Sequence, residues 1–423
     1  MINPGELKNK VFDKEVALQK DKTDPTSYLT SMFELPSDII YLCGNSLGAM
    51  PKTVPQKMSE ALNPGWSSGL ITSWNNLGWH RLPLTLGDRL APLMGAECGE
   101  VIVADSVSVN LFKVLIAAIK MRPGRKNVVS EASNFPSDVH VIKGALQNFF
   151  PDMELKLGEE SDQDILNYID ENTAVVCLTH VNYKTGRIRN MQKITNAAHE
   201  AGALIIWDLC HSLGAVPVDL NAHNVDFAVG CTYKYLNSGH GSPAYMFVAE
   251  RNIQDAPNSL SGWHGQMKPF DFDISFTESD TIEKFRSGSP PLLAHLPIEE
   301  SIKIYETIEF SELRKKSQGL TQYFIELVEG QCKGMGLELI SPRNAEERGS
   351  QVSFTHQDGY PVMSALIDHK VIGDFRAPNI IRFGFSALYN TFEDVWKAAN
   401  ILSNILKKEI WKEAKYSVRK EVT

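Results

Sequence analysis

Between residues 101 and 249 the chain keeps one rhythm. A short unbroken apolar run is followed by a polar turn, then by a stretch with apolar positions every three or four residues. Unbroken apolar runs read as strands buried on both faces, and the longer period reads as amphipathic helix. The predicted strands are 101–103, 127–129, 174–178, 203–207, 226–230 and 245–249, and the predicted helices are 111–120, 140–150 and 192–201. Such strands interleaved with helices predict an α/β fold, with a mostly parallel sheet covered on both faces.

The rhythm changes after Pro290. Residues 298–308 and 320–329 have helical period, 337–340, 351–354 and 380–383 are short strand candidates, and 391–414 reads as one long amphipathic helix. These form a smaller α+β unit. The Gly-Ser-Pro-Pro run at 288–291 is the best boundary, because proline breaks helices and restricts the residue before it.

Composition narrows the class. The 423 residues are 43% apolar and 22% charged, which excludes a disordered chain, a collagen or a coiled coil. Lys and Arg number 42 against 51 Asp and Glu, so the net charge of −9 lacks the footprint of a nucleic-acid binder. No apolar run is long enough for a transmembrane helix. Residues 1–24 are polar and mixed in charge, so no secretory leader is expected. Cys43, Cys98, Cys177, Cys210, Cys231 and Cys332 form no CxxC pair, and most lie in apolar runs. They read as free thiols in a reducing compartment rather than disulfides or zinc ligands. His240 and His264 have no ligand-like spacing, so no metal is expected. The glycines at 239 and 241 read as turn residues.

In an open α/β sheet, ligands bind beyond the carboxyl ends of the strands. The polar residues there include Asp138, Asp208, His211, Tyr233 and Lys234. Asp208 directly ends an apolar run, so it is partly buried and needs a partner. It could simply cap the next turn. It could also hold a proton on a pyridine nitrogen and make that ring an electron sink. Lys234 follows another apolar run in an aromatic setting. It could be a lysine reaching for solvent from a strand end. Desolvation would instead lower its pKa and free the amine that attacks an aldehyde. Asp208 and Lys234 stand 26 positions apart and end consecutive predicted strands, which puts both at one sheet edge. An Asp for the ring nitrogen and a Lys for the aldehyde are the pair pyridoxal 5'-phosphate requires.

Six segments, in order along nearly the whole chain, resemble the kynureninases: YLCGNSLG at 41–48, NFPSD at 134–138, WDLCHSLG at 207–214, YKYLN at 233–237, FRSGSPP at 285–291 and IRFGFSALYN at 381–390. The resemblance implies the aspartate-aminotransferase-like fold (fold type I): a large domain with a mostly parallel seven-stranded sheet flanked by helices, and a smaller α+β domain. It divides the chain into 1–50 (a first part of the small domain), 51–290 (the large cofactor-binding domain) and 291–423 (the rest of the small domain). It implies pyridoxal-phosphate-dependent hydrolysis of the Cβ–Cγ bond of L-kynurenine, with 3-hydroxykynurenine an open alternative, to anthranilate and L-alanine. It also implies a cytoplasmic homodimer with a shared active site, serving tryptophan catabolism or NAD synthesis, with neither nucleic acid nor membrane as partner.

On that resemblance Lys234 would hold the cofactor and act as the base, and Asp208 would pair with the ring nitrogen with Asp138 nearby. Phe135, followed by Pro136 and Ser137, would stack on the ring, and Thr179 and His211 would contact the cofactor. Val107 and Ser108 would wrap the phosphate at a helix start, where free N–H groups favour an anion. Tyr233 and Trp263 would donate to that phosphate, and Ser289, where relatives carry Thr or Asn, would reach it across the subunit boundary. Arg382 would clamp the substrate carboxylate, with Ser46 and Asn75 facing the substrate. Tyr233 would also carry the proton to Cβ. The rival readings are a cysteine desulfurase or selenocysteine lyase, which needs a reactive cysteine on a mobile loop, and a non-catalytic protein of the same fold.

Overall fold

The computed structural model describes residues 12–159 and 161–420; the first eleven positions of the polar 1–24 stretch, Glu160 and the last three residues lie outside the described residues. Seven strands form the larger sheet: β1 (Val101–Val103), β2 (Asn127–Glu131), β3 (Glu154–Gly158), β4 (Thr173–Thr179), β5 (Leu204–Asp208), β6 (Phe227–Gly230) and β7 (Tyr245–Val248). Their order is β1-β7-β6-β5-β4-β2-β3. The pairs from β6 to β3 are parallel, and β7 alone runs against its two neighbours. The predicted mostly parallel sheet is therefore present.

Alternation along β5 shows why both faces are dry. Ile205 and Trp207 join one apolar cluster, while Leu204 and Ile206 join the cluster on the opposite face. The second cluster includes Leu111, Val114, Leu115 and Ala118 of α1 (Val107–Lys120). Strand β3 was not foreseen. It pairs only with β2, at the sheet edge, and its Glu-Leu-Lys-Leu-Gly sequence is mostly half-exposed, so it lacks the apolar run that marks the central strands.

The second sheet is antiparallel, with order β8 (Glu338–Leu339), β9 (Gln351–Thr355), β11 (Ile380–Gly384), β10 (Asp374–Arg376). Its core includes Phe354, Phe383 and Phe385 around Phe324 of the helix Phe310–Gln331. The N-terminal segment packs on this unit. Ile40–Tyr41 pairs with Val371–Ile372, the Gly44 N–H donates to the Gly384 carbonyl at 3.1 Å, and Asp21 accepts from the first N–H groups of the terminal helix, Phe392–Lys407.

That terminal helix is shorter than the 391–414 stretch predicted for it. Glu409 takes a left-handed backbone, with φ 52°, and two short turns follow, Ile410–Lys412 and Ala414–Ser417. The reversal carries Ile410, Trp411 and the buried Tyr416 back onto the small-sheet core, where the Tyr416 hydroxyl donates to Asp368 at 2.7 Å. Two further elements of this unit, the helix Gly359–Asp368 and strand β10, were not foreseen.

Candidate active site

The carboxyl ends of β4, β5 and β6, with the start of α1, enclose a cavity of about 280 Å³. Val107, Ser108, Phe135, Ser137, Asp138, Thr179, Asp208, His211, Tyr233 and Lys234 all line it, so ten of the residues singled out in the sequence meet in one place. Asp208 is the last residue of β5 and is paired with Val229 of β6, and the lysine turn follows β6 directly. Parallel pairing of these two strands puts the acid and the amine at one edge.

The turn bearing Lys234 is pinned from outside. The Gly48 N–H donates to the Tyr233 carbonyl at 2.8 Å. A Cβ on Gly48 would lie 2.3 Å from both the Lys234 carbonyl oxygen and Asn237 Oδ1, so only glycine lets the N-terminal segment approach this closely. The Lys234 ammonium lies 5.8 Å from the ring centres of both Phe135 and Tyr233.

The electrostatics assign proton states. Asp208 and Asp138 are both buried. Asp208 Oδ1 accepts from the Cys210 N–H at 2.7 Å, while Asp138 Oδ2 has no hydrogen-bond partner. Burial, then the adjacent Asp208 charge, raises Asp138 well above the ordinary carboxylate range. Two like charges so placed cannot both persist, and Asp138 holds the proton. Burial, then the Lys234 charge, holds His211 well below the usual imidazole value, so it is neutral, and its Nδ1 also lacks a partner. Burial raises the Tyr233 phenol, which keeps its proton at neutral pH.

Lys234 departs from the expectation that desolvation would free its amine. Burial does oppose its charge, but Cys231, Cys210, Tyr233 and Asp208 outweigh it, and the pKa is raised. Without cofactor, this lysine is an ammonium ion.

The donor set fits pyridoxal 5'-phosphate. A buried carboxylate pair, an orphaned acid oxygen, an orphaned imidazole nitrogen and a lysine share one cavity, and α1 points its amino end there. Val107 and Ser108 are its first two residues, whose N–H groups have no acceptor within the helix, and Ser106 caps it by accepting from the Val109 N–H at 3.4 Å.

Arg382 lies beside this cavity, on β11. Its guanidinium is 6.0 Å from the ring centre of Tyr183, a cavity residue, and donates to the Tyr183 carbonyl. The side chain is buried and already engaged. Nε and Nη2 form a two-point pair with Asp374 at 2.6 and 2.5 Å, and Nη2 reaches Ser46 Oγ at 3.2 Å. Ser46 also donates to Asp374, and Arg376 pairs with the same carboxylate at 3.1 Å. Two arginines, one aspartate and one serine thus form a single network.

Other singled-out residues lie elsewhere. Pro136 opens the helix Pro136–Phe149 but does not line the cavity. Trp263 is exposed and its indole N–H donates to the Pro269 carbonyl at 2.5 Å. Asn75 is exposed in the short helix Ser73–Asn76, and Ser289 flanks a separate small pocket with Arg286 and Pro290. None of these reaches this chain's own cavity lining. Among the described residues no group of three or more His, Cys, Asp or Glu is placed to hold a metal ion, and Gly239 and Gly241 both adopt positive φ in a turn. Five of the six cysteines are buried and all six are free; only Cys98 is exposed.

Several residues of the site were not singled out. Ser106, Tyr183, Cys210, Cys231, Ser242 and Ala244 line the cavity, and Asp374 and Arg376 hold the arginine network. Tyr183 lies four positions beyond the end of β4, and that nearness to a strand end was its only signal.

A family model described as the kynureninase C-terminal domain matches residues 313–402, and one described as the DegT/DnrJ/EryC1/StrS aminotransferase family matches 88–224. A kynureninase of Burkholderia pseudomallei (strain K96243) is 45% identical over 414 residues, covering 97% of this chain and 99% of the relative. The chain belongs to the kynureninase family. A Pseudomonas fluorescens kynureninase is equally similar, 45% identical over 96% of this chain and 98% of its own. Among solved structures, a cysteine desulfurase from Thermococcus onnurineus NA1 superposes with TM-score 0.75 at 18% identity, covering 90% of this chain and 98% of that one. The C-DES protein with glycine linked to its PLP cofactor gives TM-score 0.75 at 12% identity, over 86% of this chain and 97% of that one. These share the fold of kynureninase family members, whereas the full-length identity is to kynureninases. The cofactor of the family is pyridoxal 5'-phosphate.

Proposed function

We infer that the chain is a pyridoxal-phosphate-dependent hydrolase that cleaves the Cβ–Cγ bond of L-kynurenine to anthranilate and L-alanine. The observation that carries this reading is the convergence of Lys234, Asp208 and a free helix start on one cavity, in a chain 45% identical to kynureninases along its length. When bound, the cofactor supplies a protonated ring able to accept the electron pair left on the substrate carbon.

The chain's own residues do the rest. Val107 and Ser108 bind the phosphate through backbone N–H groups, with Tyr233 donating beside them. Phe135 would stack on the ring, and Thr179 and His211 would border it. Asp208 keeps the ring nitrogen protonated, and the neutral Asp138 prevents a second charge from competing. Lys234 holds the cofactor, then takes the proton from Cα once the substrate amine has displaced it. Arg382, with Ser46, orients the substrate α-carboxylate while Asp374 fixes the guanidinium from behind. Water adds to the γ-carbonyl, the Cβ–Cγ bond breaks with its electron pair going to Cβ, and Tyr233, proton-bearing in this site, gives its proton to Cβ and regains one from the carboxyl group formed on anthranilate.

We place Trp263, Ser289 and Asn75 in a partner copy's site, in a cytoplasmic homodimer. Supporting this are their absence from the chain's own cavity and the exposed apolar surface of Trp66, Leu70 and Ile71, in a pocket that reaches Trp74 and Pro290, the chain neighbours of Asn75 and Ser289. No helix among the described residues is long and apolar enough to cross a membrane. We divide the chain into domains at 1–50, 51–290 and 291–423; the pairing of the Ile40–Tyr41 segment with the smaller unit supports assigning the first part to it. The test is product analysis on L-kynurenine and on 3-hydroxykynurenine. Anthranilate and L-alanine in equal amounts support the reading; release of sulfide or selenide from cysteine or selenocysteine, with kynurenine untouched, would replace it by the desulfurase alternative.

A further inference from the structure

Cys210 and Cys231 are placed as a pair. Strand β5 runs parallel to β6 with Asp208 opposite Val229, and the Leu209 N–H still donates to the Val229 carbonyl at 2.8 Å. Continued two residues past the last paired position, that register would set Cys210 opposite Cys231. Neighbouring strands lie about 4.8 Å apart, inside the roughly 4.4–6.8 Å Cα separation that a disulfide spans. The Cys231 thiol donates to the Cys210 carbonyl at 3.7 Å, and the two thiols lie close enough to shift each other's pKa in opposite directions. Both line the cavity beside Lys234. Cys210 stands between Asp208 and His211, and Cys231 stands three residues before Lys234.

We propose that Cys210 and Cys231 are an oxidisable dithiol beneath the cofactor site, and that a disulfide between them blocks cofactor loading. The coupling to loading rests on the reading of this cavity as the cofactor site. The oxidant class is a peroxide. The Cys231 sulfur attacks one peroxide oxygen, the O–O bond breaks and one water leaves, giving a sulfenic acid. The Cys210 sulfur then attacks that sulfur, the S–O bond breaks and a second water leaves with the remaining thiol proton. Two thiols lose two electrons and one hydrogen peroxide becomes two waters. The charge environment favours this order. Burial works against a Cys231 thiolate, but the hydrogen bond from Cys210 and the Lys234 charge bring its pKa below the ordinary thiol value. The hydrogen bond to Cys231, then burial, raises Cys210 well above it. The bridge would tie the two turns that present Asp208 and Lys234, and both cysteines line the cavity that the cofactor would fill.

The test treats the purified chain with hydrogen peroxide, with and without pyridoxal phosphate, followed by intact mass, peptide mapping and absorbance-monitored cofactor uptake. The expected result without cofactor is loss of two hydrogens, a peptide cross-link between Cys210 and Cys231, and loss of uptake that dithiothreitol restores. Prior addition of pyridoxal phosphate slows the cross-link. In Cys210→Ala, and in Cys210→Ser as a second variant, the cross-link is absent and Cys231 stops at a sulfenic acid trapped by dimedone. Oxidation confined to Cys98, or a cross-linked protein that takes up cofactor as readily as the reduced one, would overturn the proposal. A reduced protein that takes up no cofactor but still forms the bridge would overturn the cofactor reading alone and leave the dithiol supported.

Discussion

At the residue scale, the site is a set of proton assignments made by burial and neighbours. Tyr233 has its pKa raised by burial, so it keeps its proton at neutral pH. Tyr233→Phe is expected to keep the cofactor absorbance and lower L-alanine formation by about a hundredfold, the scale of a lost general acid; turnover equal to the parent in a stopped-flow assay would remove Tyr233 from the reaction. Asp374 holds Arg382 at two points. Asp374→Asn should raise KM for L-kynurenine by roughly tenfold or more, with cofactor uptake retained, because a lost charge-assisted contact costs about 1.5–3 kcal/mol. An unchanged KM would show that the guanidinium is positioned by Tyr183 and Ser46 alone. Asp208 and Lys234 were legible in the sequence because each ends an apolar run, where a charged residue demands a reason. Asp374 was not. Its partners Ser46 and Arg382 lie 328 and 8 positions away, and nothing in its strand distinguishes it until the chain has folded.

At the scale of elements, the strand–turn junctions carry both the chemistry and the stability. His180, directly after β4, is buried against Ser212 with Nδ1 at 3.0 Å from Oγ, and burial pushes its pKa down from 6.5 to about 3. A depressed imidazole stays neutral in the fold while the unfolded chain gains a proton below pH 6.5. Its stabilising contribution is therefore complete above pH 6.5 and is lost as pH falls towards 3. Urea midpoints measured across that window should fall with pH, and the fall should be shallower in His180→Gln by up to about 1.4 kcal/mol per pH unit; parallel curves would contradict the assignment. Gly48→Ala tests the clamp on the lysine turn. With 2.3 Å available to the new methyl, a loss of about 1–3 kcal/mol is expected in denaturant unfolding. The central strands were readable because their apolar runs are continuous. Strand β3 was hidden by its half-exposed edge position, and the terminal helix was overextended because Ile410, Trp411 and Tyr416 kept an apolar pattern while the backbone turned back at Glu409.

At the scale of the whole molecule, Trp263, Ser289 and Asn75 stand apart from the cavity, and Trp66, Leu70 and Ile71 present apolar surface in a pocket that reaches Trp74 and Pro290, the chain neighbours of Asn75 and Ser289. Their positions along the sequence could not show this, since whether a loop serves its own site or a neighbour's is settled only by assembly. A dimer formed through that surface predicts that light scattering gives twice the chain mass and that Ile71→Asp shifts the protein towards monomer with loss of turnover. A monomeric parent protein that is fully active would contradict the shared site. The central claim is that Lys234 and Asp208 hold pyridoxal phosphate for cleavage of L-kynurenine. It is tested most directly by the visible absorbance of the purified protein, before and after L-kynurenine, with anthranilate fluorescence followed in the same cuvette and with Lys234→Ala as the control. The account predicts a visible band that is absent in Lys234→Ala, and anthranilate appearing only with the parent protein. Absence of any band, even after pyridoxal phosphate is added, would contradict it at its root.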